Sequence, residues 1–232
     1  MNKSRRMAAL QARALAEAGC AVLQIDLLGC GDSSGDFDDA SWEDWVQDVL
    51  LGIHWLQARF EAPLWLWGLR TGGLLAAAAA ERLGKPCNLL LWAPVANGKT
   101  ALQQFLRLKT AAEMLGGKAR GAMDDLRSRL AAGEVLDIAG YRLSPALAHG
   151  LERAALRPVA GVQRMEWIEL STMPDGTPSP LADQSAAAWQ ASGCVSRASV
   201  VQGPAFWQTT EIETAPALLP ATVAAILDRG TP

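Results

Sequence analysis

Residues 63–75 read P-L-W-L-W-G-L-R-T-G-G-L-L, and this stretch organises the rest of the chain. An apolar run with two tryptophans meets a Gly-x-x-x-Gly turn and passes directly into an alanine-rich run at 74–80. Glycine at positions 68 and 72 lets the backbone reverse tightly, with the residue between them held at a strained, exposed point. That residue is Arg70. We therefore predict a strand that ends at Gly68, a sharp turn at Arg70 and a helix over 72–83.

The segments on either side alternate between strand and helix patterns. Apolar and β-branched runs predict buried strands, at 21–28, 64–68, 88–95, 165–170 and 199–202. Apolar residues at helical spacing predict helices, at 4–18, 42–56, 72–83, 180–191 and 216–228. Because parallel strands need crossover connections, this alternation predicts an α/β fold with a doubly wound, mostly parallel sheet.

The middle of the chain breaks the alternation. Residues 97–159 carry helical patterns only, at 100–114, 122–132 and 145–156. Helices inserted after a mid-sheet strand predict a lid. The predicted organisation is therefore a core formed by residues 1–96 and 160–232, with a helical lid insertion at 97–159.

Composition excludes several classes of function. Half of the 232 residues are hydrophobic and the formal net charge is −3, so no basic field favours nucleic acid. No run reaches the roughly 18 apolar residues that a membrane span needs, and polar residues interrupt any signal-peptide core near the N-terminus. We expect a cytoplasmic protein whose ligand is small or apolar.

Neither a metal nor a cofactor site is predicted. The four cysteines are scattered, without the paired spacing of a zinc site, and are expected to be reduced thiols. The loop at 29–39 falls short of a dinucleotide-binding fingerprint, and its aspartates would repel a pyrophosphate. Its acidic residues have EF-hand spacing, but Phe37 occupies the position that requires glycine.

The order of these motifs resembles the α/β-hydrolase superfamily. The loop matches the pattern D-x-x-G-x-G-x-S-x-G, with Asp26, Gly29, Gly31, Ser33 and Gly35. The turn at Arg70 resembles the G-x-S-x-G nucleophile elbow. Three further stretches resemble, more narrowly, the bacterial hydrolase 2 family associated with the exosortase A system: G-C-G-D-S-x-G-D-F with A-S-W at 29–42, W-L-W-G-L-R at 65–70 and A-G-Y-R-L-S-P at 139–145.

The resemblance implies a catalytic serine, an acid and a histidine, each at a definite place in the chain. The serine position holds Arg70. The acid would follow the strand ending at 170, where Asp175 or Asp183 is the candidate. The histidine would follow the strand ending near 202, but residues 150–232 contain no histidine. The triad is therefore predicted to be degenerate, because nucleophile and base are both absent.

Other residues are candidates for the missing nucleophile and base. Thr71, beside Arg70, is a candidate substitute nucleophile, although this position normally supplies a backbone N–H. His149, in the predicted lid, is a candidate base, and it competes with the simpler interpretation of a surface or packing residue. His54 is interpreted as a structural histidine of the second helix.

Arg70 also suggests an anion site. A guanidinium beside a helix N-terminus places a fixed cation and backbone donors together. A carboxylate or phosphate head could bind there, with Thr71, Ser33 and Trp207 as further ligand-binding candidates and the lid and tryptophans around an apolar tail. The competing interpretation is that Arg70 pairs with a local acid, Glu211 or Glu213.

Three functional hypotheses follow from these observations. The first is a nominal ester or acyl hydrolase of the exosortase-associated type with a degenerate triad. The second is a non-catalytic binding or scaffolding protein that uses the inherited pocket for an anionic or acyl ligand. The third is an active hydrolase with relocated residues.

The resemblance further implies about three strands before the helix at 4–18, including one whose loop donates half of an oxyanion hole. Because the sequence begins at that helix, we expect these N-terminal strands to be missing and the sheet edge beside the second parallel strand to be uncovered. Self-association through this exposed sheet edge is the predicted consequence.

Overall fold

The computed structural model describes residues 2–115 and 122–228; residues 116–121 of the predicted lid lie outside them. In chain order its elements are α1 (Asn2–Glu17), α2 (Trp42–Gln57), β1 (Trp65–Leu69), α3 (Gly72–Leu83), β2 (Cys87–Trp92), α4 (Gly98–Leu115), α5 (Ala122–Ala131), β3 (Leu136–Ile138), β4 (Tyr141–Leu143), α6 (Pro145–Arg153), β5 (Val162–Ser171), α7 (Pro180–Ala191), β6 (Val195–Gln202) and α8 (Leu218–Leu227).

The main sheet is parallel throughout and has the strand order β1-β2-β5-β6. Each strand connects to the next one in the sheet through at least one helix, as parallel pairing requires. The predicted α/β class with a mostly parallel sheet is confirmed.

Contacts divide the chain into two compact units. Unit 1 comprises Met1–Gln24, His54–Pro94 and Arg157–Pro232, and unit 2 comprises Ile25–Ile53 and Val95–Leu156. Unit 1 contains the parallel sheet. All six residues of its strand β2 are buried, as expected for a strand with neighbours on both sides. One face of this sheet carries the cluster of Met7, Leu90, Trp92, Ile168, Phe206, Ala215 and Leu218.

The prediction of a strand at 21–28 is wrong. This segment forms no ladder, and residues 24–26 are exposed. Side chains of α2 satisfy part of its backbone: Leu28 N–H donates to Asp48 Oδ2 at 2.7 Å, and Trp45 Nε1 donates to the Leu28 carbonyl at 3.0 Å. An apolar run becomes a strand only where a neighbouring strand is available to pair with it.

Unit 2 holds a second departure from the prediction. Residues 97–159 are not helices only, because β3 and β4 form an antiparallel hairpin. Ala139 and Gly140, which connect them, have φ of 52° and 83°. A two-residue turn with both φ angles positive is the geometry that favours a tight hairpin. The predicted lid function of this segment stays a prediction.

Candidate functional site

The turn after β1 holds Arg70 in the left-handed region of the backbone. Its φ is 54°, its N–H donates to the Trp92 carbonyl at 2.9 Å, and its own carbonyl accepts from Gly73 N–H at 3.1 Å. These bonds tie the turn to the neighbouring strand β2 and to the first turn of α3. Arg70 is therefore fixed where the sequence predicted it, between the C-terminal end of a strand and a helix.

Only one of the two glycines flanking the turn is required by contact. A Cβ on Gly68 would lie 2.4 Å from the carbonyl carbon and oxygen of Gly72, whereas a Cβ on Gly72 would meet nothing within 4 Å. The tight reversal thus depends on the close approach of the backbone at Gly68 to the start of α3.

The Arg70 side chain is half-buried and partly satisfied by the protein. Its Nη1 donates to the Ala93 carbonyl at 3.0 Å, and its guanidinium carbon lies 5.4 Å from the centre of the Trp207 ring. A cation over an indole face is attracted by the ring quadrupole. Burial lowers the pKa of Arg70 from its ordinary value. A guanidinium still remains protonated in proteins, so the turn carries a positive charge.

Aromatic rings extend from this cation into the core. Trp67 and Trp92 meet edge to face at 4.5 Å, Trp92 meets Phe206 at 6.2 Å, and Phe206 meets Trp207 at 5.2 Å. Trp92 Nε1 donates to the Thr222 hydroxyl. The buried indole N–H groups of Trp67 and Trp207 have no acceptor within the described chain. A buried donor without an acceptor is unfavourable, so these two groups favour an acceptor from outside the chain.

The helix α3 begins beside Arg70 without a side-chain cap. Thr71 occupies the N-cap position in a helical conformation, and its hydroxyl makes no capping bond. The N-terminus of a helix carries partial positive charge and unsatisfied N–H groups. Arg70, Thr71 and Trp207 are the predicted site residues that the structure brings together.

The other predicted site residues belong to other elements of the chain. Ser33 belongs to unit 2, where its N–H donates to the Cys30 carbonyl at 3.1 Å. Asp175 is exposed in the loop after β5, and Asp183 is exposed on α7. Their assignment as a catalytic acid stays a prediction.

The two histidines are both exposed on helices. His54 lies on α2 and His149 on α6. The interpretation of His54 as a packed structural histidine does not agree with this exposure.

Sequence reasoning missed two residues of this region. Ala93 has φ of 40° and supplies the carbonyl that holds Arg70, but no local pattern marks an alanine as left-handed. Glu169, near the end of β5, accepts bonds from the N–H and hydroxyl of Ser179, both at 2.7 Å, and so fixes the start of α7. Ser179 caps α7 by accepting from Ala182 N–H at 3.2 Å, and no local pattern marks its carboxylate partner ten residues earlier.

Two further findings concern metals and membranes. In residues 2–115 and 122–228, no three His, Cys, Asp or Glu side chains are grouped so that they could hold a metal ion. None of the helices in the same ranges is long and apolar enough to cross a membrane.

Several solved structures share this architecture. The chain is similar to the proline iminopeptidase-related protein TTHA1809 from Thermus thermophilus, with 20% identity, a TM-score of 0.53, and coverage of 94% of this chain and 83% of that one. It is also similar to a structure from work on LipS and LipT, two metagenome-derived lipolytic enzymes, with 18% identity, a TM-score of 0.52, and coverage of 96% and 86%. DcsB, in complex with its substrate analogue, matches with 14% identity, a TM-score of 0.52, and coverage of 95% and 85%. At these identities the likeness establishes the α/β-hydrolase fold.

Sequence comparison gives a family as well. No curated protein matches the sequence significantly. The model of the family Hydrolase_4, described as serine aminopeptidase, S33, matches residues 1–130, which is more than half of the 232 residues. On this match, the chain belongs to the Hydrolase_4 family.

Proposed function

We propose that this chain is a hydrolase-fold protein that binds a small anion at Arg70 and does not carry out hydrolysis through a Ser-His-Asp triad. The observation that carries the proposal is Arg70 itself, held at φ 54° between β1 and α3, the position that the nucleophilic serine occupies in the elbow motif. A guanidinium is always protonated and has no nucleophilic lone pair to activate.

The lack of a base supports the same proposal. Covalent hydrolysis by a serine or threonine needs an adjacent general base. The sequence has no histidine after His149. Thr71 lies beside Arg70, so it would need a base from another part of the chain.

Hydrogen-bond donors around Arg70 favour an anionic ligand. The guanidinium carries a positive charge, the N-terminus of α3 carries partial positive charge, and the indole N–H of Trp207 has no acceptor among the described residues. A carboxylate or phosphate oxygen is an acceptor that suits this set, because charge-assisted bonds to guanidinium groups are among the strongest in proteins. The half-buried rings of Trp67 and Trp207 would contact an apolar tail, so the ligand we propose is a fatty carboxylate or a similar acyl anion.

The narrower resemblance suggests a biological setting for this binding. We propose a role in bacterial cytoplasm alongside the exosortase A system, as expected for its hydrolase 2 family.

We also propose self-association, since β1 ends the order of the described sheet and the Trp55 and Phe60 side chains are each 48% exposed. Sedimentation velocity of the wild type and Trp55→Lys would test it; monomers of both at high concentration would contradict it.

A thermal-shift titration tests anion binding. Octanoate, phosphate and sulfate would be added to the wild type, Arg70→Ala and the control Arg59→Ala. Arg59 also lies over a tryptophan ring, at 3.9 Å from the centre of Trp55, but on the surface. A ligand at 100 times its dissociation constant stabilises by about 2.7 kcal/mol, or roughly 5–10 °C for a domain of this size.

The expected pattern separates specific binding from general salt effects. Octanoate should raise the melting temperature of the wild type and of Arg59→Ala but not that of Arg70→Ala. Sulfate stabilises many proteins by exclusion from their surfaces, so an equal shift in all three proteins would count only as that general effect. Equal octanoate shifts in all three would remove Arg70 from the site.

Membership of a serine aminopeptidase family supports the second candidate, a hydrolase with relocated residues. A fluorophosphonate probe and a panel of esters and aminoacyl amides would test it. Stoichiometric labelling that is lost in Thr71→Ala would establish Thr71 as a nucleophile and overturn the binding-only proposal. Turnover that persists in Thr71→Ala and is lost in a serine variant would do the same.

A further inference from the structure

A cleft of about 740 Å³ runs along the outer edge of β6 in unit 1. One wall is α7, from Asp183 to Gln190, and the other is α8 from Ala221 onward, with Asp228 directly after the helix. Residues 196–199 of β6 lie between them. The cleft is separate from the turn at Arg70, which follows β1 at the opposite end of the strand order.

The backbone of β6 presents hydrogen-bonding groups to this cleft. In a parallel sheet, residues of an edge strand alternate between bonding to the neighbour strand and facing outward. Gly203 N–H donates inward to the Ser171 carbonyl of β5 at 2.9 Å, so the odd-numbered residues face β5. Ser196, Ala198 and Val200 therefore face outward. The Ser196 carbonyl confirms the alternation, because it accepts from Gln190 Nε2 at 2.8 Å.

Gln190 thus covers one outward carbonyl, and no described residue bonds to the outward backbone groups of Ala198 and Val200. The flanking helices present alanines to the cleft, including Ala186, Ala187 and Ala224. Small side chains on both walls leave room for the backbone and side chains of one extended segment. At about 3.3 Å per residue, four residues of β6 would pair with a segment of similar length.

The charge of the cleft indicates which kind of peptide segment could bind there. Three carboxylates line it, those of Glu166, Asp183 and Asp228, together with the guanidinium of Arg197. Arg164 also lies against Glu166 and Asp228, so the group keeps one carboxylate in excess. Arg197 is already bonded to Asp228 at 2.5 Å. Asp183 has no ion-pair or hydrogen-bond partner for its side chain among the described residues.

Glu166 adds a buried acceptor to this set. Its side chain is 6% exposed, and its Oε1 accepts from Arg164 Nε at 2.7 Å. Arg164 therefore balances the charge of Glu166 within the fold, so a basic ligand would find Asp183 as the carboxylate of the cleft that is unpaired among the described residues.

We propose that the cleft beside β6 binds an extended peptide segment rich in lysine or arginine, which joins the sheet as a strand next to β6. Main-chain bonds to Ala198 and Val200 supply affinity, and a basic side chain reaches Asp183. Addition of a peptide strand to an open sheet edge is a recurrent mode of recognition. The proposal does not depend on the function of Arg70.

Fluorescence anisotropy with a labelled peptide, acetyl-Val-Lys-Thr-Val-Lys-Thr-amide, tests the proposal. Two matched peptides serve as controls, one with glutamate at both lysine positions and one with proline at both valine positions. Proline lacks the N–H that a ladder requires. We expect the lysine peptide to bind at least tenfold more tightly than either control, and its affinity to fall as salt rises.

Two matched protein variants locate the site. Ala187→Trp fills the cleft, whereas the neighbouring Ala188 is also exposed but does not line it, so Ala188→Trp is the control. Ala187→Trp should weaken binding at least tenfold, and Ala188→Trp should leave it unchanged. Asp183→Asn should weaken it by about threefold, the scale of an exposed ion pair. Circular dichroism melting would verify that all variants are folded.

Several outcomes would overturn the proposal. They are no binding of the lysine peptide at millimolar concentration, equal binding of the lysine and glutamate peptides, or equal loss in Ala187→Trp and Ala188→Trp. A homodimer that Ala187→Trp dissociates, without peptide binding, would identify the cleft as a contact between two copies of this chain.

Discussion

The guanidinium of Arg70 donates to the carbonyl oxygen of Ala93 at 3.0 Å, and both residues have positive φ, of 54° and 40°. They follow the neighbouring parallel strands β1 and β2. A non-glycine residue in this region costs roughly 1–3 kcal/mol and persists only where the surroundings impose it. The bond therefore joins two strained turns at the same edge of the sheet.

Substitution of Arg70 by glycine and by alanine should separate the cost of the strained backbone from the contribution of the hydrogen bond to Ala93. Both changes remove the bond to Ala93, worth about 1 kcal/mol. Alanine retains the cost of the positive φ and glycine does not. The free energy of unfolding of Arg70→Gly should therefore be about 1 kcal/mol higher than that of Arg70→Ala. Urea denaturation measures the difference, and equal stability of the two variants would show that the turn relaxes when the side chain is lost.

The two glycines of the turn should respond very differently to alanine. Gly68→Ala would place a Cβ 2.4 Å from backbone atoms of Gly72, and forced overpacking costs about 1–3 kcal/mol. Gly72→Ala meets open space and stiffens the unfolded chain, so it should be neutral or stabilise by up to about 1 kcal/mol. Thermal unfolding of the pair provides the measurement. Equal destabilisation by both changes would contradict the contact at Gly68.

Glu166 should make the free energy of unfolding fall as pH rises. Burial raises the pKa of this carboxyl above its ordinary 4.5, and the bond from Arg164 opposes the effect only in part. The folded state then binds more protons than the unfolded state between pH 4.5 and the folded-state pKa. Within that window the wild type should lose stability relative to Glu166→Gln, by at most about 1.4 kcal/mol per pH unit.

Urea denaturation of the two proteins from pH 4 to pH 8 would measure this difference. Loss of the Arg164 partner in Glu166→Gln adds an offset that does not depend on pH, so the slope is the informative quantity. A wild type that gains stability relative to the variant as pH rises would contradict the raised pKa.

The four cysteines should differ in reactivity. Cys20 is half-buried, while Cys30, Cys87 and Cys194 are buried. Burial, with Cys87 and Glu166 nearby, raises the pKa of Cys194 to about 11. Since the thiolate is the reactive form, about a thousandth of Cys194 is reactive at pH 8.

Labelling with a chromogenic disulfide at pH 8 checks this order. We expect one fast thiol in the native protein, lost in Cys20→Ser, and four thiols in urea. Fast labelling of any thiol in native Cys20→Ser would contradict the burial.

Sequence reasoning was strongest where local chemistry and tertiary packing agree. The helix at 72–83 was predicted to the residue, because a turn glycine precedes it, an alanine run fills it and Gly84 ends it at φ 59°. The strand β6 was predicted only over 199–202, whereas it begins at Val195. Arg197 argued against a strand in the first half of β6, because a charged residue is more typical of a loop. Its ion pair with Asp228 explains the charge on this edge strand, and that partner is not evident from the local sequence.

Other features had no local signal. The run 21–28 has the composition of a strand, and only the tertiary structure shows that it lacks a partner strand. The cleft beside β6 unites Glu166, Asp183 and Asp228, three carboxylates that are far apart in sequence and form no motif. The pairing of Arg70 with Ala93 depends likewise on the register of two strands and not on the residues beside either one.

The position of β2 in the sheet has a consequence for how the chain is made. This strand pairs with β1 and β5, yet it ends at Trp92 while β5 begins at Val162. At a synthesis rate of about 5–20 residues per second, the intervening chain takes roughly 4–14 seconds to emerge. Unit 2 is made entirely of residues that precede 157, so it can complete its folding in this interval. Throughout the same interval β2 exposes an apolar edge with no neighbour, and a nascent chain interrupted there should aggregate or require a chaperone.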